Sequence, residues 1–110
     1  MATVICELGP AAPQVAAESS FRQGAVVPVR MKFLDDSGRL VDPLDVQVIW
    51  TPPAQPAIIQ NLSGGMVERM GLGLYSASLE LASPGEWQIE CVGVGSHATR
   101  RMRWFTVDLV

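Results

Sequence analysis

Apolar and polar residues alternate with a period of two along much of this chain, which predicts β-strands. The clearest segment is 25–34, where one side carries Val27, Val29, Met31 and Phe33. Successive side chains of a strand point to opposite faces of a sheet, so this segment predicts a strand with one buried face. Pro28 lies within it and has no backbone N–H, which favours an edge strand or a side that faces solvent.

The same alternation recurs in segments 45–51, 57–61, 74–81, 87–91 and 99–107, and short extended pieces are expected at 2–8 and 39–41. Turn-forming clusters separate them, as at Asp35-Asp36-Ser37-Gly38 and Ser83-Pro84-Gly85. About seven or eight strands at this spacing, with no window of helical period, predict an all-β protein built as an antiparallel β-sandwich; a small β-barrel or a jelly roll is the alternative. The side chains expected in the core are Val29, Met31, Phe33, Val48, Trp50, Tyr75, Leu79, Trp87, Ile89 and Trp104.

The chain divides by composition at about residue 24. Residues 1–24 hold a short apolar run and then a tract of proline and small residues, whereas residues 25–110 hold the alternating segments. We therefore expect an N-terminal strand or arm with a linker, followed by the sandwich. Two possibilities stay open for the first segment: it is the first strand of the sandwich, or it is an arm that reaches a neighbouring subunit.

Charge and hydropathy restrict the partners. The chain has 8 basic and 11 acidic residues and a net charge of −3, which disfavours a surface that tracks nucleic acid. No run of 18 apolar residues is present, so no membrane-spanning helix is expected. The segment before Pro10 and Pro13 carries no basic residue and is too short for a secretion signal, so we expect the chain to start in the cytoplasm.

One basic cluster stands out near the C-terminus, where Arg100, Arg101 and Arg103 alternate with Met102 and Trp104. Such a pattern predicts a solvated strand face whose opposite face is buried, with a partner-docking patch as the alternative. Met66 and Met70 likewise indicate either strand-end packing under a loop or an adaptable contact patch. The residues singled out for contacts with a partner are Val4, Ile5, Phe21, Arg100, Arg101 and Arg103.

The residues suited to catalysis or metal binding form no recognisable motif. Cys6 and Cys91 are too far apart for a metal or redox motif, and without a secretion signal two reduced, buried thiols are favoured over a disulfide. His97 is the only histidine and lies in a predicted hairpin loop, where an exposed residue is favoured over a general base. The acidic turn at 35–38 lacks the ligand spacing of a calcium loop. We expect no catalytic residue, no cofactor and no metal.

Two stretches resemble a known family. Residues 73–91, G-L-Y-S-A-S-L-E-L-A-S-P-G-E-W-Q-I-E-C, are similar to a strand pair of bacterial and phage immunoglobulin-like domains. Residues 21–24 and the stretch F-L-D-D-S-G-R-L-V-D-P at 33–43 resemble the openings of immunoglobulin-like modules in tailed-phage virion proteins, such as baseplate, head-decoration and head–tail components. The resemblance extends over residues 21–107. It does not include the disulfide of antibody-type domains, because Cys6 lies far upstream of the expected position.

This resemblance implies an immunoglobulin-like β-sandwich that is a structural component of a virion and is not an enzyme. Its expected partners are other virion proteins or copies of itself in a multi-copy assembly, formed in the host cytoplasm, with no nucleic acid and no membrane. The alternative is an immunoglobulin-like module that binds carbohydrate or another surface ligand. Such a module needs an exposed aromatic side chain for a sugar to stack on, and Trp50 and Trp104 are the candidates.

Overall fold

The computed structural model describes residues 2–9 and 20–109. These residues form two β-sheets that face each other, as the alternating pattern predicts. The strands are β1 (Thr3–Leu8), β2 (Ser20–Arg22), β3 (Val26–Leu34), β4 (Asp45–Thr51), β5 (Ile58–Asn61), β6 (Glu68–Gly71), β7 (Leu74–Glu80), β8 (Gly85–Val94) and β9 (Thr99–Asp108). Within the described ranges no helix is long and apolar enough to cross a membrane.

One sheet has four strands in the order β1-β3-β7-β6, and the other has five in the order β2-β9-β8-β4-β5. Neighbouring strands are antiparallel except β2, which runs parallel to β9. The chain crosses between the sheets before and after β2, between β3 and β4, between β5 and β6, and between β7 and β8. The protein is therefore an all-β sandwich.

The core lies between the two sheets and is built by the predicted alternation. Every second residue of β3 and β4 is buried, and Val29, Phe33, Val48 and Trp50 are fully inaccessible. Phe105 is central to the aromatic part, because Phe21, Trp50 and Trp87 each contact its ring, with centroid separations of 5.7, 6.3 and 6.0 Å. The predicted core residues are buried with two exceptions: Leu79 is half-buried against the core, and Trp104 is exposed.

Of the two expectations for Pro28, the edge strand is wrong, because β3 lies between β1 and β7, whereas the half-buried Pro28 does lie on the outward side of β3. Pro28 lies where the pairing of β1 with β3 ends, and its carbonyl still accepts a hydrogen bond from Gly9 N at 2.9 Å. The Gly9 carbonyl lacks the return bond from the proline nitrogen and instead accepts one from Arg30 Nη1 at 3.2 Å. A side-chain donor thus replaces the missing backbone donor, which makes a proline tolerable inside the sheet.

The N-terminal segment belongs to the sandwich where it is described. Val4, Cys6 and Leu8 of β1 point into the core, and the strand pairs with β3 of the same chain. β2 pairs with β9 of the other sheet. The first of the two possibilities therefore holds for β1, which is the first strand of the sandwich. The predicted linker between them, residues 10–19, lies outside the described residues.

Candidate partner-contact surface

The strand β9 carries its aromatic residues in the reverse of the expected orientation. Phe105 and Val107 are buried, so the alternation places Trp104 on the outer face, where it is 59% exposed. The prediction that Trp104 is a core residue is therefore wrong. Adjacent residues of a strand cannot share a face, and Phe105 occupies the inner position opposite Trp87.

The same alternation separates the three arginines of the basic cluster. Arg100 lies on the outer face with Met102 and Trp104, whereas Arg101 and Arg103 stand opposite the inward-facing Cys91 and Ile89. Arg103 is half-buried and donates a hydrogen bond from Nη1 to the Cys6 carbonyl at 3.0 Å. The cluster is therefore not one basic face, because two of its arginines close the side of the sandwich along β1.

The outer face of the five-stranded sheet exposes an apolar group. Met102 is 50% exposed beside Trp104, and Ile59 of the edge strand β5 is 59% exposed on the same face. Between them, Gln88 of β8 lies directly opposite Trp104, and its side-chain amide contacts the Met102 thioether. Aromatic residues and methionine are enriched in protein–protein interfaces, so the outer side of β9 is a candidate contact surface.

Charge changes sign along this face. At one end Arg100 pairs with Glu90, with an Nε–Oε2 distance of 3.5 Å. At the other end, beyond Trp104, the outward positions hold Glu86 opposite Thr106 and then Asp108. The outer side of β9 therefore has an arginine paired within the chain at its start, apolar residues in the middle and an aspartate at its end.

The other residues predicted to contact a partner occupy different places. Val4 is buried in the core, so it offers no surface to a partner in this arrangement. Ile5 is exposed on the outer face of the four-stranded sheet. Phe21 is half-buried and packs edge-on against Phe105. A role for any of these in binding stays a prediction.

Among the remaining aromatic and methionine candidates, Trp50 is fully buried and its indole N–H bonds Gln60 Oε1 at 2.9 Å. It is not available to stack on a ligand. Met66 and Met70 are exposed, so the expectation that they pack under a loop is wrong. Val67 between them supplies the buried contact instead.

The most connected polar group is the Asp42 carboxylate, in the loop between β3 and β4. It accepts hydrogen bonds from Arg69 Nη2 at 2.9 Å, from Gly73 N at 2.8 Å and from the Tyr75 hydroxyl at 2.8 Å. The Arg69 guanidinium and the Gly73 N–H lower the pKa of this carboxyl to about 2. Burial and the Asp42 charge raise the pKa of Tyr75 to about 12. The group fixes the crossover loop to the hairpin of β6 and β7, which is a structural role.

A surface depression brings together two turns considered for chemistry. Asp36 and Ser37 of the acidic turn and Ser96 and His97 of the β8–β9 loop line it. The Asp35 carboxylate is engaged within its own turn, because Oδ1 accepts from Ser37 N, Ser37 Oγ and Arg39 N at 2.8–2.9 Å. These bonds are those of a hydrogen-bonded turn, as the sequence predicts for this segment.

Sequence reasoning missed both the outward Trp104 and the Asp42 group. The sequence does not decide the first, since Met102 with Trp104 and Phe105 with Val107 are both apolar pairs two residues apart. The second has no sequence signal, because Asp42, Arg69 and Tyr75 are brought together only by the crossover between the sheets.

No protein-family model and no curated protein matches the chain. Among solved structures, it is similar to a DUF4785 family protein from Legionella pneumophila subsp. pneumophila strain Philadelphia 1, with a TM-score of 0.58 and 15% sequence identity. The similarity covers 84% of this chain and 26% of that protein, so the chain spans about a quarter of the length of its structural neighbour. At this identity the likeness shows a shared β-sandwich fold.

Proposed function

We propose that the chain is an immunoglobulin-like module that acts without catalysis, as a structural component of a phage-like virion. In this proposal, copies of the chain contact one another through the outer face of the five-stranded sheet, and other virion proteins are further partners. The observation that carries the proposal is the exposed pair Met102 and Trp104 on the outer side of β9, near one edge of that face.

The strand order supports the immunoglobulin-like assignment. Immunoglobulin sandwiches set strands A, B, E and D against G, F and C, and variable-type domains add C′ beside C. The present order, β1-β3-β7-β6 against β9-β8-β4-β5, follows this arrangement, with the short strand β2 as an addition beside β9. The virion assignment is supported by the resemblance of residues 21–24 and 33–43 to the openings of immunoglobulin-like modules in tailed-phage virion proteins.

The charge pattern supports a second copy as the occupant of the face. A two-fold axis that lies in the interface plane, perpendicular to β9 at Trp104, reverses the strand direction in the partner. Arg100 of each copy then faces Asp108 of the other, and the Trp104 side chains meet at the centre. An isologous interface requires this kind of self-complementarity. Aromatic residues and methionine are also enriched in interface cores.

A charge-exchange series tests this arrangement by sedimentation equilibrium. Arg100→Asp places two acidic groups against each other and is expected to weaken dimerisation about tenfold or more. Arg100→Asp combined with Asp108→Arg restores opposite charges, and association is expected to recover. Equal association of the wild type and Arg100→Asp, or no recovery in the double variant, would contradict the two-fold arrangement.

The virion assignment has a separate test. Tailed particles released by the organism that encodes the chain are purified, and their proteins are counted by quantitative mass spectrometry. We expect peptides of this chain at many copies per particle, in a fixed ratio to the other structural proteins. Particles that lack the chain would overturn the virion assignment and leave the dimer interface untouched.

Carbohydrate binding is the second candidate, and the exposure of Trp104 beside the polar side chain of Gln88 favours it. A sugar that stacks on the indole shields it from solvent, so acrylamide should quench less of the tryptophan fluorescence when the ligand is bound. A glycan array followed by this quenching assay tests the candidate, with Trp104→Phe as the control. An array without any bound glycan removes it.

A further inference from the structure

The two cysteines of the chain meet across the sandwich. Cys6 is on β1 of the four-stranded sheet and Cys91 on β8 of the five-stranded sheet, and both lie in the core. Each thiol lies near enough to affect the ionisation of the other, and Arg103, which donates a hydrogen bond to the Cys6 carbonyl, lies near both. The strands β1 and β8 approach within 8 Å between Cα atoms, whereas stacked sheets are ordinarily about 10 Å apart. A disulfide needs Cα atoms about 4.4–6.8 Å apart at the two cysteines themselves, so the approach of the two strands permits the bond without fixing it.

The surroundings distinguish the two thiols. The neighbouring Cys91 thiol lowers the pKa of Cys6, and the nearby charges of Arg103 and Arg101 lower it further, while burial opposes them. The neighbouring Cys6 thiol and burial raise the pKa of Cys91. Arg103 is held beside Cys6 by its bond to the Cys6 carbonyl. Cys6 is thus the better nucleophile, and Cys91 is placed to react second.

The two thiols also differ in their exposure to solvent. β1 is the edge strand of its sheet, and Cys6 is 6% exposed, whereas Cys91 is fully inaccessible. A small reagent therefore meets Cys6 first. Glu7 and Glu90 are the acidic groups near the pair, and both oppose thiolate formation.

We propose that Cys6 and Cys91 are an oxidisable pair that a small-molecule disulfide converts into an intramolecular bond between the two sheets. The Cys6 thiolate attacks one sulfur of the reagent, a mixed disulfide forms, and one reagent thiolate leaves. Cys91 gives its proton to that thiolate and attacks the Cys6 sulfur, which releases the second reagent thiolate. Both cysteine sulfurs are oxidised, and the reagent is reduced to two molecules of its thiol form.

The bond would fix the short edge strand β1 to the opposite sheet and close a loop that includes most of the chain. A loop of this size is expected to favour the folded state by about a thousandfold, because the unfolded chain loses conformational freedom. Release of β1, for exchange with another copy, would then require reduction.

The test uses the full chain with 2-hydroxyethyl disulfide as the oxidant. After treatment the protein is denatured in excess iodoacetamide and weighed by mass spectrometry. We expect the reduced chain to take two labels and the treated chain none, with a proteolytic peptide that joins Cys6 to Cys91. Treated chain should also unfold at a higher urea concentration than reduced chain.

Cys6→Ala and Cys91→Ala are the matched controls, and neither should gain stability on oxidation. Only a stable mixed disulfide at Cys6, only disulfide-linked dimers, or two labels after prolonged treatment would overturn the proposal. The wild-type labelling decides the question even if a variant does not fold.

Discussion

Replacement of Asp42 tests whether one carboxylate holds the crossover loop to the β6–β7 hairpin. Asp42→Ala removes the acceptor of the Tyr75 hydroxyl, the Gly73 N–H and the Arg69 guanidinium. Tyr75 is 2% exposed, so loss of the carboxylate that accepts from its hydroxyl costs about 1–3 kcal/mol. The exposed arginine contributes less than about 1 kcal/mol. We expect a total loss of about 3 kcal/mol in the free energy of unfolding.

A double-mutant cycle with Tyr75→Phe isolates the part that depends on the hydroxyl. The phenylalanine keeps the ring contact with Phe33, whose centroid is 5.6 Å away, and removes only the donor. Tyr75→Phe alone should cost about 1.5 kcal/mol, and it should cost little once Asp42 is already alanine. Urea unfolding at pH 7, followed by tryptophan fluorescence, measures all four proteins. Additive losses, or a loss below about 0.5 kcal/mol for Asp42→Ala, would refute the assigned role.

The Asp42 carboxylate also makes the free energy of unfolding depend on pH, and the sign of this dependence follows from its pKa. Its pKa is about 2 in the folded protein and about 4 in the unfolded chain, so its stabilisation is complete above pH 4 and is lost as the pH falls towards 2. The side chain is 34% exposed, which reduces the expected effect to about 1 kcal/mol. The difference in stability between wild type and Asp42→Ala should therefore narrow by about 1 kcal/mol at low pH. Parallel curves between pH 4 and 2 would contradict this.

Two further substitutions test the core. Trp87→Ala should lower the free energy of unfolding by about 3–5 kcal/mol, because the indole is buried and stacked on Phe105. Arg100→Ala, on the outer face, should change it by no more than about 0.5 kcal/mol in the same urea titration. Equal effects of the two substitutions would refute the assignment of inner and outer faces. Gln60→Leu should lower the free energy of unfolding by about 2–3 kcal/mol. The Gln60 side chain accepts a hydrogen bond from the Trp50 indole and donates one to the Ser78 carbonyl of the opposite sheet, both at 2.9 Å. An unchanged urea midpoint for Gln60→Leu, with the exposed Gln55→Ala as control, would show that this bridge contributes nothing.

The sequence predicts the sheets well wherever one face of a strand is continuously apolar. The segments around Phe33, Trp50 and Trp87 have the predicted strand positions and inner faces, because only one register buries their large side chains. In β9 two aromatic residues are adjacent, so the pattern allows either face to be buried. The facing residues decide between them: Phe105 fits between Trp50 and Trp87, and Trp104 is left outside.

Contacts between residues that are far apart in the sequence could not be predicted, for a different reason. Periodicity along one strand carries no information on which strands face each other. The contact of Cys6 with Cys91 depends on the position of β1 opposite β8, and the Asp42 group depends on the crossover after β3. Pro28 gave a misleading signal, because the side chain of Arg30 supplies the hydrogen bond that a proline cannot.

The most direct test of the proposed function is the solution mass of the chain over a concentration series, measured by light scattering. The wild type is compared with Trp104→Ser, and with Met70→Ser as a control that removes an equally exposed apolar residue from the other sheet. We predict reversible dimerisation of the wild type and of Met70→Ser, with Trp104→Ser monomeric throughout. A wild type that stays monomeric at all concentrations, or a Trp104→Ser variant that associates as the wild type does, would contradict a contact surface on this face.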